Sequence, residues 1–237
     1  MNNVAILLAA GSGSRMRSEV KKQFICINNR PLMSYSLEAL ERSEVIDSVI
    51  LVTSKEDIDY CREEIVKAYG FTKVKDYVPG GRERYNSVMA GLDAIESMGG
   101  ADYVFIHDAA RPCIDEEMLV RLYNEVRVSE ACVAAVKSKD TVKIANNSDY
   151  VVSTPNRNLT WIVQTPQVFS YALIKEAYGV LKEEECGLSC QGIVVTDDAM
   201  VVETWTGHRV KLTHGSYKNI KVTTPEDLLY AEANLLK

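Results

Sequence analysis

Val4-Ala5-Ile6-Leu7-Leu8-Ala9-Ala10-Gly11-Ser12-Gly13-Ser14-Arg15-Met16 runs from an apolar segment into a loop of small residues that holds a single arginine. The segment Val4 to Leu8 has the length of a strand buried on both faces. Glycines at 11 and 13 let the backbone turn tightly and bring bare N–H groups to a ligand, as loops after the first strand of an α/β sheet do around phosphoryl oxygens. Arg15 adds a cation there, so the loop suggests a nucleotide. It is not the dinucleotide fingerprint, because Met16 stands where the third glycine belongs, and no Gly-Lys-Ser/Thr follows as in an ATPase phosphate loop. A Gly-x-Gly alone also marks an ordinary strand-to-helix turn, and the rest of the chain has to decide.

Outward from this loop, two periods alternate. Val49 to Val52, Val74 to Val78, Tyr103 to Ile106 and Cys132 to Val136 repeat the short apolar run. Between them Met33, Leu37 and Leu40, then Val88, Leu92 and Ile95, recur at i, i+4 and i+7, each marking one helix stripe. Such alternation predicts a mostly parallel, doubly wound sheet with ligands outside the carboxyl ends of its strands. Thr224-Pro225-Glu226-Asp227 reads as a cap, a proline at the first helical position and an acid at the third, opening a last helix with Leu228, Ala231 and Leu235 inward. From about 139 to 165 the alternation breaks. Asp140 to Ile144, a polar turn at 146–149 and Tyr150 to Val152 form an extended hairpin, an arm that covers a site or pairs with a second subunit. The alternative is a solvated loop with no partner.

The chain has 237 residues, 46% of them hydrophobic and 25% charged, enough for one α/β domain with an excursion. Its six cysteines form no CxxC pair, and Cys186 and Cys190 have no nearby histidines to complete a zinc site, so they read as reduced thiols. The N-terminus lacks a basic segment and the first apolar run is too short to span a membrane, which points to a cytoplasmic protein. A net charge of −6 argues against a broad nucleic-acid surface, so cations that hold phosphate should be few and local. Arg15, Lys21 and Lys22 form such a group.

Three further loops carry charge or polar groups at the expected edge of the sheet. Pro79-Gly80-Gly81 precedes a helix whose first turn holds Ser87, where amides and a hydroxyl can read a base or ribose. His107-Asp108-Ala109-Ala110-Arg111-Pro112 puts a carboxylate at a strand end among small residues, with room for a hydrated metal ion bridging Asp108 to phosphates. A helix cap or a pair with Arg111 is the competing reading of Asp108, and His107 reads as a packing or hydrogen-bonding residue. Lys218 to Val222 reads as a strand that presents Lys221 either to phosphate or, as an edge charge, to solvent.

LAAGSGSRM, KQF, GGRERYNSV, HDAARP, KDTVK, PNR, QTPQVF, TDDA and NIKVTTPEDL occur in an order and spacing that resemble the 2-C-methyl-D-erythritol 4-phosphate cytidylyltransferases, over nearly the whole chain. The resemblance implies a glycosyltransferase-A-like, Rossmann-like fold and a homodimer joined by the arm. It also implies CMP transfer from CTP, with magnesium, to methylerythritol phosphate in isoprenoid precursor synthesis. It implies further that Ala10, Gly11, Gly13, Gly81 and Ser87 surround the cytidine, and that Arg15 and Lys22 grip the triphosphate. Asp108 would face magnesium and ribose, and Lys221 the α-phosphate. Thr141 and Arg157 would hold the methylerythritol phosphate in the partner's site.

Three positions depart from that pattern. Lys21 stands where proline is frequent, Lys218 where an acid is frequent, and Thr160 where leucine is usual. The PNR string also resembles ribitol 5-phosphate cytidylyltransferases, whereas HDAARP favours the methylerythritol reading. Two rivals follow: a cytidylyltransferase for ribitol 5-phosphate or another polyol phosphate, and a nucleotide-binding domain without this activity, regulatory or reductase. Arg15, Lys22 and Asp108 together speak against a dead domain, and Met16 against a reductase.

Overall fold

A computed structural model describes residues 1–11 and 20–235, apart from the side chains of 189–191. Gly13 and Arg15, expected at the nucleotide, lie outside the described residues. In chain order the elements are β1 (Asn3–Leu8), a ribbon of β2 (Cys26–Ile27) and β3 (Arg30–Pro31), α1 (Leu32–Arg42), β4 (Ser48–Thr53) and α2 (Ile58–Tyr60), which continues as a wider turn over Cys61–Lys67. Then come β5 (Val74–Pro79), α3 (Arg84–Ser97), β6 (Tyr103–Asp108), α4 (Glu116–Ser129) and β7 (Ala131–Lys137). The arm follows with β8 (Ile144–Ala145) and β9 (Val151–Ser153), and the chain closes with β10 (Trp161–Ser170), α5 (Tyr171–Gln191), α6 (Asp198–Thr206), β11 (Lys211–His214) and α7 (Pro225–Leu235).

The main sheet has the strand order β11-β7-β10-β6-β1-β4-β5, and within it only β10 runs antiparallel to its neighbours. Strict alternation in β1 explains why the sheet is covered on both sides. Ala5 and Leu7 point into a core built with Met33, Leu37 and Leu40 of α1 and Leu119 and Leu122 of α4. Val4 and Ile6 point into the other, with Val88, Leu92 and Ile95 of α3 and Ile174 and Leu181 of α5. Both helix stripes read from the sequence are therefore core stripes, each large side chain contributing on the order of 2 kcal/mol by leaving water. α7 docks Ala231, with Leu228 and Leu235 beside it, on Val222, on Ile27 of β2 and on Leu32 at the start of α1. Its start is fixed as expected, because the Asp227 carboxylate accepts from the N–H groups of Thr223 and Thr224, both at 2.8 Å.

Two expectations need correction. The arm does not reach about 165: β10 rejoins the main sheet at Trp161, where Trp161, Ile162 and Val163 pair with Lys137, Val136 and Ala135. The excursion is thus 138–160, with the β8–β9 hairpin turning through Asn146, whose side-chain oxygen accepts from the N–H groups of Ser148 and Tyr150. Lys218 to Val222 is not a strand. β11 ends at His214, and the segment before α7 is held instead by the buried Asn219 side chain, which donates to the Thr165 carbonyl at 2.8 Å, and by Val222 N–H on the Ala110 carbonyl. Alternation over five residues misled because these anchors are tertiary, not a ladder.

Candidate active site

Loops after β1, β5 and β6 and the segment before α7 enclose a cleft of about 380 Å³ at the carboxyl edge of the parallel strands. Seven of the sequence-predicted residues line it: Ala10, Gly11, Lys22, Gly81, Ser87, Asp108 and Lys221. Thr141 and Arg157 do not. Both are exposed on the excursion that carries the β8–β9 hairpin.

One side of the cleft is shaped by backbone. The Gly80 N–H extends the β4–β5 pairing by donating to the Thr53 carbonyl at 2.7 Å, and a Cβ on Gly80 would collide with Ala10 and with the Ser87 hydroxyl. The glycine therefore permits a close approach of two loops. Ser87 Oγ accepts from the Gly81 N–H at 3.1 Å, while Glu83 and Asn86 close a reciprocal capping box at the start of α3. Small residues, a fixed hydroxyl and a helix start form a firm cradle for a polar planar group.

The opposite side is a charge cluster. The Asp108 carboxylate, 7% exposed, accepts from Lys221 Nζ at 2.6 Å and lies 3.4 Å from Arg84 Nε. Burial alone would raise its pKa, but Arg84 and Lys221 outweigh that and hold the carboxyl far below the usual range. Arg84 in turn makes a two-pronged pair with the fully buried Asp198, at 2.9 and 2.7 Å. Asp198 also accepts from the Tyr178 hydroxyl at 2.6 Å. The Gln167 side-chain oxygen fixes this corner by accepting from the N–H groups of Asp198 and Ala199. The pair with Arg111 expected as one reading of Asp108 does not form: the partners are Arg84 and Lys221, with Arg111 acting only at longer range.

Beyond the cluster is a second hollow of about 220 Å³ that shares Arg84, Asp108 and Lys221 with the first and adds Arg111, Gln164, Thr165 and Asp197. Arg111 donates to the Asn219 carbonyl at 2.8 Å, and its Nε is buried with no partner among the described residues. Thr165 Oγ1 accepts from the Asp108 N–H at 3.0 Å and donates to His107 Nδ1, also at 3.0 Å, because the one ring proton of the neutral histidine faces a carbonyl at Nε2. That carbonyl is Arg111's, to which His107 Nε2 donates at 3.1 Å. Burial pushes the pKa of this histidine down to about 4, and it is a neutral brace under the site, as the sequence reading of a hydrogen-bonding residue had it.

Lys21 and Lys22, grouped together in the sequence, part company. Lys22 lines the cleft, whereas Lys21 is bound to Glu56 and Asp57 beyond the end of β4. Lys218 is exposed. Sequence reasoning left Arg84, Thr165, Gln167, Asp198 and Asn219 without roles, although all five lie inside the motif strings. Among the described residues no group of three or more His, Cys, Asp or Glu side chains could cage a metal ion. None of their helices is long and apolar enough to cross a membrane.

Known proteins resemble this chain over almost its full length. The family model for 2-C-methyl-D-erythritol 4-phosphate cytidylyltransferase matches residues 3–237. Curated relatives of that name from Lachnospira eligens and Lachnoclostridium phytofermentans are 49% and 47% identical, with 95% and 98% of this chain and 96% and 95% of theirs covered. A crystal structure of 4-diphosphocytidyl-2C-methyl-D-erythritol synthase from Anaerococcus prevotii superposes with a TM-score of 0.83 at 34% identity, covering 100% of this chain and 99% of that one.

Proposed function

The chain belongs to the 2-C-methyl-D-erythritol 4-phosphate cytidylyltransferase family, and from that membership we infer its reaction: CMP passes from CTP to 2-C-methyl-D-erythritol 4-phosphate with release of pyrophosphate. The observation that carries this reading to particular atoms is the shared wall. Asp108, Arg84 and Lys221 stand between two hollows, so a nucleotide in one and a phosphorylated acceptor in the other meet at the same cations.

The nucleophile is an oxygen of the acceptor's phosphate monoester, already largely ionised at neutral pH because its second pKa is about 6. It attacks the α-phosphorus of CTP, a new P–O–P bond forms, and the α–β bond breaks with its electron pair leaving on pyrophosphate. No protein base is required. The protein has to align two anions that repel and to stabilise charge on the α-phosphoryl oxygens and the leaving group. Ala10, Gly11, Gly13, Gly81 and Ser87 are the residues assigned to the cytidine. Lys22 and Arg15 hold the triphosphate, and Lys221, oriented by Asp108, meets the α-phosphate. Arg111 and Thr165, which line the second hollow, receive the acceptor on the near side. Thr141 and Arg157 reach it from the arm of a second subunit in a homodimer.

The donor set fits magnesium carried in by the nucleotide rather than caged by the chain, since magnesium keeps water and phosphate ligands and asks for one or two carboxylates. Asp108 is the candidate carboxylate. When bound, the ion neutralises phosphate charge. We further place the reaction in one cytoplasmic nucleotidyltransferase domain spanning 1–237.

Pyrophosphate release from CTP, measured with methylerythritol phosphate, with ribitol 5-phosphate and with no acceptor, tests this reading. Release with methylerythritol phosphate alone is expected. Release with ribitol phosphate alone would move the enzyme to polyol phosphate activation, and silence with both would overturn the assignment.

A further inference from the structure

The one-turn helix Lys22–Phe24 carries Lys22 to the cleft, closed by the Phe24 and Ile25 N–H groups on the Lys21 and Lys22 carbonyls. Lys21 precedes it in an extended conformation without a side-chain cap, and no acid sits in its first turn. So short a turn is not stable alone, and tertiary anchors hold it, three of them visible among the described residues. Gln23, buried, donates to the Ala9 carbonyl at 2.7 Å, and the Phe24 ring meets the edge of Tyr60 with centroids 5.1 Å apart. The third anchor is Lys21, whose ammonium donates to Ser54 Oγ at 2.8 Å, Asp57 Oδ2 at 2.6 Å and Glu56 Oε1 at 2.9 Å. Ser54 and Asp57 are themselves hydrogen-bonded, so the ammonium enters a preformed acidic notch at the end of β4. Asp57 is the principal partner, because its side chain is 17% exposed against 70% for Glu56, and exposed pairs contribute little.

We propose that Lys21 is a positioning residue for nucleotide binding: its ion pair with Asp57 fixes the turn that presents Lys22 to the triphosphate. The proposal rests on the CTP reading given above. It departs from the sequence grouping, in which Lys21 was itself a phosphate cation, and the two views make opposite demands on Asp57. If Lys21 gripped phosphate directly, removing the acid that sequesters it would leave nucleotide affinity unchanged or strengthen it. If Lys21 is an anchor, losing either partner loosens the same turn.

The test is CTP affinity, titrated without acceptor, in Lys21→Met, Asp57→Asn, the double variant and Lys21→Arg, with thermal unfolding followed in each. Each single change is expected to weaken CTP binding about 3–10-fold, and the double change no more than the larger single one, because both cut one link. Lys21→Arg should lie within about twofold of the parent, and KM for CTP should move more than kcat. Glu56→Gln, an exposed change that spares the fold, should shift affinity in the same direction by less. Unchanged or tighter binding in Asp57→Asn alongside weaker binding in Lys21→Met would overturn the proposal, as would full affinity in both. Parent protein that does not bind CTP would overturn the reading of the site as well, whereas parent binding matched by every variant would overturn this inference alone.

Discussion

In the cleft, Asp108 is 7% exposed and shares its carboxylate with Lys221 and Arg84, whereas on the arm Ile144, Tyr150, Val151, Val152 and Leu159 each leave more than half of their surface to solvent. Among the described residues, the Asp108 cluster of the cleft is paired and the Gly80–Gly81 loop is held by hydrogen bonds within the chain. The arm has a two-strand ribbon, a turn closed by Asn146, and apolar side chains that are mostly exposed. A ribbon of that size is marginal alone, and clustered exposed apolar residues mark a surface that is covered in use. In the function proposed above, the nucleotide half of the site is built within one chain, while the acceptor half depends on residues presented by the arm of a second subunit.

That contrast can be broken most sharply at Lys221. Lys221→Ala removes a cation from both the reacting centre and the Asp108 cluster, and turnover should fall by roughly 10²–10³-fold with the fold retained. Initial rates of pyrophosphate release and a thermal melt check this, and a rate within several-fold of the parent would contradict the assigned role. On the arm, Arg157→Ala should raise KM for the acceptor about 10–100-fold while CTP affinity stays as it was. Equal losses in both affinities would dissolve the distinction between the two halves.

A smaller effect reports on the brace beneath the cleft. His107 titrates near 6.5 when unfolded and near 4 when buried, so over that window the unfolded chain binds the extra proton. Stability contributed by the neutral histidine is complete above pH 6.5 and is lost as pH falls toward 4, by on the order of 2–3 kcal/mol. Melting temperature against pH should show this slope, and His107→Gln should flatten it; a parent curve that is flat between pH 6.5 and 4 would rule the brace out. The smallest stability change is expected at the arm tip. Tyr150→Asp with Val152→Asp should shift the protein toward monomers in a sizing experiment yet alter the unfolding of the monomer by only about 0.5 kcal/mol, since neither side chain is packed within the chain.

The parts of this architecture that a short window of sequence dictates were legible in it. β1 and the stripes Met33-Leu37-Leu40 and Val88-Leu92-Ile95 follow from periodicity, and the start of α7 follows from Pro225 and Asp227. The antiparallel strand β10 was not placed, because a strand inserted between β6 and β7 after the arm obeys no local alternation. The same limit explains the site. Residues in glycine loops and at the ends of apolar runs could be named, but Arg84 and Asp198 meet only through the fold, 114 positions apart. The five-residue alternation around Lys221 imitated a strand where Asn219 in fact pins a loop.

The central claim, one site completed by two chains, is tested most directly by mixing two variants that are each nearly inactive when the acceptor is kept well below the raised KM of Arg157→Ala. Lys22→Ala spoils the nucleotide half and Arg157→Ala the acceptor half, so a mixed dimer should contain one intact site. After co-refolding, with mixed dimers verified by differential tagging, pyrophosphate release should return to roughly a quarter of the parent rate, as random pairing dictates. Mixed dimers that form and stay as inactive as either variant would show that each chain completes its own site, and the account would be wrong.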